Sequence, residues 1–191
     1  MSGIFIAVVG PSGVGKDTLL DHARLQLIED DRFVFPRRVV TRHPQAGGEI
    51  FDSLSRIEFD AWDQAGSFSL SWRAHGLGYG LRRNVLGAVE DGRCVVANVS
   101  RSVLPDLPGI FGEVRIVHVT APPAVLASRL AARGREVGPE MDSRIARFET
   151  TLPTTSPVMT IDNSGPIEIA QAAFLDALIA AAAEVRSVQP A

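Results

Sequence analysis

The stretch Gly10-Pro11-Ser12-Gly13-Val14-Gly15-Lys16-Asp17-Thr18 decides how this chain is read. It carries the spacing G-x-x-x-x-G-K directly after the apolar run Ile4-Phe5-Ile6-Ala7-Val8-Val9 and opens a stretch of helical period, which is the context a phosphate-binding loop requires. Glycines let successive backbone N–H groups turn inward around phosphate oxygens, and the helix N-terminus adds a partial positive charge. Lys16, the only lysine of the chain, would reach the terminal phosphates of a nucleotide. A compact ammonium fits inside a tight cradle where a wide guanidinium fork does not. A ligand-free strand-to-helix turn is the plainer reading, and the lysine in this context counts against it.

Asp17 departs from the usual loop, which carries a hydroxyl for Mg²⁺ at this place. A carboxylate is also a hard oxygen ligand suited to that ion. It could bind directly, act through a bound water, or cap first-turn amides, where negative charge is favoured. Thr18 is the alternative hydroxyl, about 100° further round the helix.

Working outward, IFIAVVG, RCVVANV, VRIVHVT and VMTID read as strands, alternating with helical patterns in LLDHARLQLI, RNVLGAVED, AVLASRLAAR and IEIAQAAFLDALIAAAAEV. Continuous apolar strands separated by helices predict an α/β fold with a mostly parallel sheet covered on both faces. Two segments break the alternation. Residues about 37–80 are rich in Gly, Arg, Ser and aromatics with weak periodicity, and predict an insert beside the sheet's carboxyl edge. Residues about 131–143, polar and glycine-bearing, have the character of a lid.

At 191 residues and 46% hydrophobic, the chain has the size of one domain with one core. A net charge of −3 argues against a nucleic-acid partner. Cys94 is the only cysteine, so no internal disulfide forms, and the cytoplasm is the expected setting. The late apolar segment contains Asp176 and Glu184 and predicts a packed helix rather than a membrane span. His22 and His43 lack ligand-pair spacing, which argues against zinc. A homodimer is one option for the assembly.

Beyond the loop, the chain resembles the guanylate kinase family through GPSGVGK, VVTRHPQAGGE, GSFSLSWRAHGLGYG and RLAARGRE. That resemblance implies a three-layer P-loop kinase fold with an acceptor-binding insert and a lid. It also exposes departures. Guanylate kinases read guanine with a carboxylate in the third stretch and a hydroxyl after its Tyr-Gly pair, where this chain has Leu70 (or Ser71, if the register slips by one) and Leu81. Gln45 stands at a usual arginine, Arg38 at a usual serine, and Asn98-Val99-Ser100-Arg101 replaces an acid-containing strand end. The set GKDT, TRHPQAGGE, SWRAHGLGYG and NVSR is similar to the ribose 1,5-bisphosphate phosphokinases. Their resemblance implies ATP as donor with Mg²⁺, a sugar phosphate as acceptor, and a phosphate oxygen as the attacking atom.

A phosphomonoester is already largely ionised near neutral pH, its second pKa being about 6, so no general base is required and cations and backbone donors carry the chemistry. The nominated catalytic set is Lys16 with Arg133, Arg135 and Arg144 from the lid and the helix after it. For the acceptor the nominations are Arg38, Arg42, Arg73, His75, Tyr79, Asn98 and Arg101; Asp17 and Thr18 are the metal candidates. Exposed arginines often only pair on the surface. His75 is equally a structural histidine, and His118, Trp72 and Phe68 read as packed residues. A guanylate-type kinase and a non-catalytic binding module are the competing functions, and retention of Gly15-Lys16 weighs against the module.

Overall fold

Strand β1 (Ile4–Val9) is buried at every position, as six consecutive apolar residues require of a strand covered on both faces. In the computed structural model, which describes residues 3–43, 50–132 and 152–187, β1 lies at the centre of a five-stranded sheet. Its neighbours are β2 (Phe33–Val34), β7 (Cys94–Asn98), β8 (Val114–Thr120) and β9 (Val158–Asp162), in the order β2-β7-β1-β8-β9. All four pairings are parallel, as the alternation of strands and helices predicts.

The two-residue pleat of β1 sorts the core into two layers. Ile4, Ile6 and Val8 pack with Leu19 and Ala23 of α1 (Lys16–Gln26), Leu126 of α5 (Pro123–Ala132), and Phe174 and Leu178 of α6 (Ile167–Ser187). Phe5, Ala7 and Val9 face the other way, against Val85 and Val89 of α3 (Asn84–Glu90) and Leu107 and Phe111 of α4 (Leu107–Phe111). Phe5 stacks on Phe111 with ring centroids 4.1 Å apart. Cys94 is buried in β7. No described helix is long and apolar enough to cross a membrane.

The weakly periodic segment holds a second, four-stranded sheet in the order β4-β3-β6-β5, from β3 (Val39–Val40), β4 (Asp52–Ser53), β5 (Phe68–Ala74) and β6 (Leu77–Arg82). Helix α2 (Arg56–Gln64) lies beside it and starts in a reciprocal cap: Ser55 accepts from the Glu58 amide, and Glu58 accepts from the Ser55 amide at 2.8 Å. The β5–β6 hairpin turns at His75 (φ 51°) and Gly76 (φ 73°), the two positive angles a tight hairpin needs. Phe59 of α2 stacks on Phe68 at 4.9 Å and closes over Gly78, where an added Cβ would meet its ring at 3.0 Å. Leu70, Trp72 and Leu81 pack into the main core beside α3, so the second sheet is docked and not suspended. Trp72 and Phe68 are therefore core residues, as the sequence suggests. The expected lid begins at the end of α5, and from 133 it lies outside the described residues.

His118 of β8 is only half-buried, yet burial is the main influence holding its imidazole below the ordinary value of 6.5, with Arg101 and then Lys16 adding repulsion. A lowered folded pKa gives stability that is present above the unfolded value and lost as pH falls through the folded one. Replacing His118 with Gln should flatten the acid limb of a stability-against-pH curve below about pH 6.5, read by urea denaturation. The small core under the second sheet should be the more sensitive point. Phe59→Ala should cost about 3–5 kcal/mol in the same measurement, and a loss under 1 kcal/mol would contradict the packing described.

Candidate active site

The carboxyl end of β1 leads into a loop whose glycines are set by contact. At Gly10 (φ 151°) an added Cβ would lie 2.3 Å from the Val119 carbonyl oxygen; at Gly15 (φ 98°) it would lie 2.5 Å from Asn163 Nδ2. Both sites therefore exclude larger residues by contact as well as by backbone angle. Gly15 is the N-cap of α1, and no side chain caps that end, which leaves first-turn N–H groups to an incoming anion. Lys16 Nζ donates to Gly10 O at 2.8 Å and Pro11 O at 2.9 Å, so its ammonium is tied across the loop. Ser12 is exposed at the loop's outer edge.

The parallel register pairs Val8 with Asn98, which sets the end of β7 beside the start of α1. There Asn98 Nδ2 donates to Asp17 Oδ1 at 3.0 Å. Thr18 is exposed on another side of the first turn, so Asp17 and not Thr18 meets the strand end. Arg38 Nη1 points to the Asn98 carbonyl at 3.4 Å, and its guanidinium lies 5.3 Å over the Tyr79 ring. Tyr79 in turn stacks on Trp72, 5.5 Å away and nearly parallel. Asp17, Arg38 and Asn98 line an open cleft together with Arg24, Phe35 and Arg37, among others.

The nominated residues separate into groups. Asp17, Arg38 and Asn98 line the cleft, with Tyr79 against Arg38 and Lys16 next to Asp17 in the loop. Arg101 opens a 3₁₀ turn after β7 and is not among the residues that line the cleft. Arg42 lies over the Phe51 ring at 4.5 Å and does not line the cleft. Arg73 belongs elsewhere. It shares a face of β5 with Ser71, and both bind α2: Arg73 reaches Asp60 at 2.6 Å, Ser71 reaches Asp63 at 2.7 Å. The pleat sends Leu70 and Trp72 the opposite way, into the main core. His75 is exposed at the hairpin tip, where its positive φ serves the turn. Arg133, Arg135 and Arg144 lie outside the described residues.

Two cationic residues were missed. Arg24, ion-paired with Asp21 at 2.9 Å, lies on the face of α1 that also carries Asp17 and Leu20, and that three-to-four-residue spacing was legible. Arg37 carried no such signal, because it sits in irregular chain just before β3. Among the described residues, no group of three or more His, Cys, Asp and Glu is arranged to hold a metal by protein ligands alone.

No family model matches the chain. Among curated proteins, it is 44% identical over 173 residues to a ribose 1,5-bisphosphate phosphokinase of Agrobacterium fabrum, covering 91% of this chain and 94% of that one. It is 45% identical over 181 residues to the enzyme of that name from Rhizobium etli, covering 93% and 92%. Among solved structures, a guanylate kinase from Anaplasma phagocytophilum superposes with a TM-score of 0.63 at 16% identity, covering 100% of this chain and 88% of that one. The last agreement shows the fold, an α/β P-loop kinase architecture of guanylate kinase type. Agreement at this level of identity along nearly the full length of both chains places the protein in the ribose 1,5-bisphosphate phosphokinase family.

Proposed function

We propose that the chain transfers the γ-phosphoryl group of ATP to the 1-phosphate of ribose 1,5-bisphosphate, giving 5-phosphoribosyl 1-diphosphate and ADP, a step that fits phosphonate breakdown in the cytoplasm. The observation that carries this reading is on the acceptor side. Leu70 and Leu81 face each other across β5 and β6 and are buried in the core, 6% and 0% exposed. Ser71, the other residue at the guanine-reading place, gives its hydroxyl to Asp63. A guanine edge would find no matching donor or acceptor there, a loss of about 1–3 kcal/mol for each unpaired group. The cleft offers arginines instead, which suit phosphates.

In the reaction an ionised oxygen of the 1-phosphate forms a new bond to the γ-phosphorus as the bond to the β,γ-bridging oxygen breaks, and ADP leaves with that electron pair. The loop amides and Lys16 hold the donor phosphates. Arg38, fixed on the Tyr79 face, and Arg24 and Arg37 nearby are suited to the two phosphates of the sugar, with Asn98 beside them. The second sheet serves as the acceptor insert and residues about 131–143 as the lid, with Arg133 and Arg135 from the lid and Arg144 from the helix after it neutralising the transferring group. Asp17 with Asn98 fits Mg²⁺, since one carboxylate beside a neutral amide matches an ion that binds through one or two carboxylates, phosphate oxygens and water. When bound, that ion neutralises charge between the phosphates.

An acceptor panel tests the assignment. ADP release should be fast with ribose 1,5-bisphosphate, with the diphosphate identified by phosphorus NMR, and at least about 100-fold slower in kcat/KM with GMP, the discrimination expected of unpaired polar edges; a preference for GMP would refute it. A magnesium titration tests the metal site. Asn98→Ala, which removes the partner of Asp17, should raise the magnesium midpoint about tenfold, and Asp17→Ser should change it too; midpoints identical to wild type in both would remove Asp17 from the metal site.

A further inference from the structure

Asn163 follows β9 and is 149 positions from the phosphate loop in sequence, yet it is the polar residue buried deepest against that loop. It is 1% exposed, its backbone N–H donates to Thr120 O at 2.8 Å at the end of β8, and its Nδ2 donates to Val14 O at 2.7 Å. The same nitrogen occupies the space a Cβ at Gly15 would need, 2.5 Å away. Its Oδ1 finds no donor among the described residues. Turning the amide over would bring Oδ1 against the Val14 carbonyl, oxygen to oxygen, so the loop bond fixes the orientation. A buried carbonyl left without a donor is unfavourable, and here it accompanies one specific bond to a functional loop.

The consequence follows from peptide planarity. The Val14–Gly15 peptide is trans, so its C=O and N–H point in opposite directions. Holding Val14 O toward Asn163 turns the Gly15 N–H the other way. That N–H has no acceptor among the described residues and belongs to the residue just before Lys16, at the uncapped start of α1. We infer that Asn163 is a positioning residue for phosphoryl transfer: by binding the Val14 carbonyl it aims the Gly15 N–H at a donor phosphate. The inference rests on the reading of this loop as the ATP site. It assigns Asn163 no contact with substrate.

The test uses the full chain and ADP, with no acceptor present. In an amide NMR titration of wild type, the Gly15 N–H resonance should move downfield as ADP binds. Asn163→Ala should lose most of that shift and bind ADP about tenfold more weakly, with kcat reduced at saturating ATP and KM for the acceptor within twofold of wild type. Asn163→Asp keeps the shape and adds a readout that packing alone would not move. Ionised, its carboxylate repels Val14 O; protonated, its O–H can replace the amide donor. Its activity relative to wild type should therefore rise as pH falls from 8 to 6, whereas the ratio for Asn163→Ala stays flat. Division by wild type cancels the pH dependence shared by the two proteins, including that of His118 and the substrates. Ser164→Ala, whose side chain bonds Asp162 and not the loop, should behave as wild type. Equal Gly15 shifts in wild type and Asn163→Ala would overturn the inference, as would a flat pH ratio for Asn163→Asp, which also decides the matter if the alanine variant does not fold. Absence of any ADP-induced shift at Gly15 in wild type would instead sink the reading of the loop as the ATP site.

Discussion

The burial of β1 on both faces is the constraint from which the site follows. A strand packed between two apolar layers cannot slide or tilt, because a one-residue shift would turn each side chain into the opposite layer. Its partners are therefore locked in register, and the carboxyl ends of β1, β7, β8 and β9 gather at one edge of the sheet. That edge collects the loop from Gly10 to Lys16, Asn98, His118 and Asn163 from four strands and the turns after them. None of these groups is close to all the others in sequence. The apolar core sets their distances, and the polar groups contribute orientation.

The pairing of Asp17 with Asn98 shows how charge is distributed at that edge. A carboxylate on the loop beside a second acid on β7 would set two negative charges at close range, a repulsion of about 4 kcal/mol at 4 Å in an effective dielectric of 20. An amide on the strand removes that repulsion and supplies a donor to the carboxylate instead. The two departures noted in the sequence, an acid where the loop usually has a hydroxyl and an amide where the strand end usually has an acid, are thus one exchange. A single carboxylate remains, carried by the helix and held by the strand.

The central sheet was legible because each of its longer strands is a continuous apolar run, and the flanking helices have clear period. The second sheet was not. Its alternation is present in Phe68-Ser69-Leu70-Ser71-Trp72-Arg73, but β3 and β4 are two residues long, and β6 contains Gly78 and Gly80, which are poor strand formers taken alone. Those glycines answer to rings packed over them, Phe59 on Gly78 and Phe68 on Gly80, which no local pattern discloses. The same limit applies to the setting of Arg73 and His75. The family resemblance puts both in the acceptor segment, whereas the face each presents depends on pairing and on the turn. Asn163 was missed for a related reason, since its partner is the far end of the chain.

Arg38 illustrates why placement, more than residue type, separates a binding arginine from a surface one. Arg73 is ion-paired with Asp60, and both side chains are largely exposed, a geometry that adds little to stability and leaves the guanidinium engaged with a neighbouring helix. Arg38 lies over Tyr79, whose ring rests on Trp72, which is itself part of the main core. Stacking occupies the face of a guanidinium and not its donor edge, and a ring anchored in the core restricts the rotamers of the arginine above it. The hydrogen bond to Asn98 O, at 3.4 Å, is too long to hold the group by itself. The ring stack contributes orientation, so Arg38 is aligned in part by the same apolar core that fixes β1.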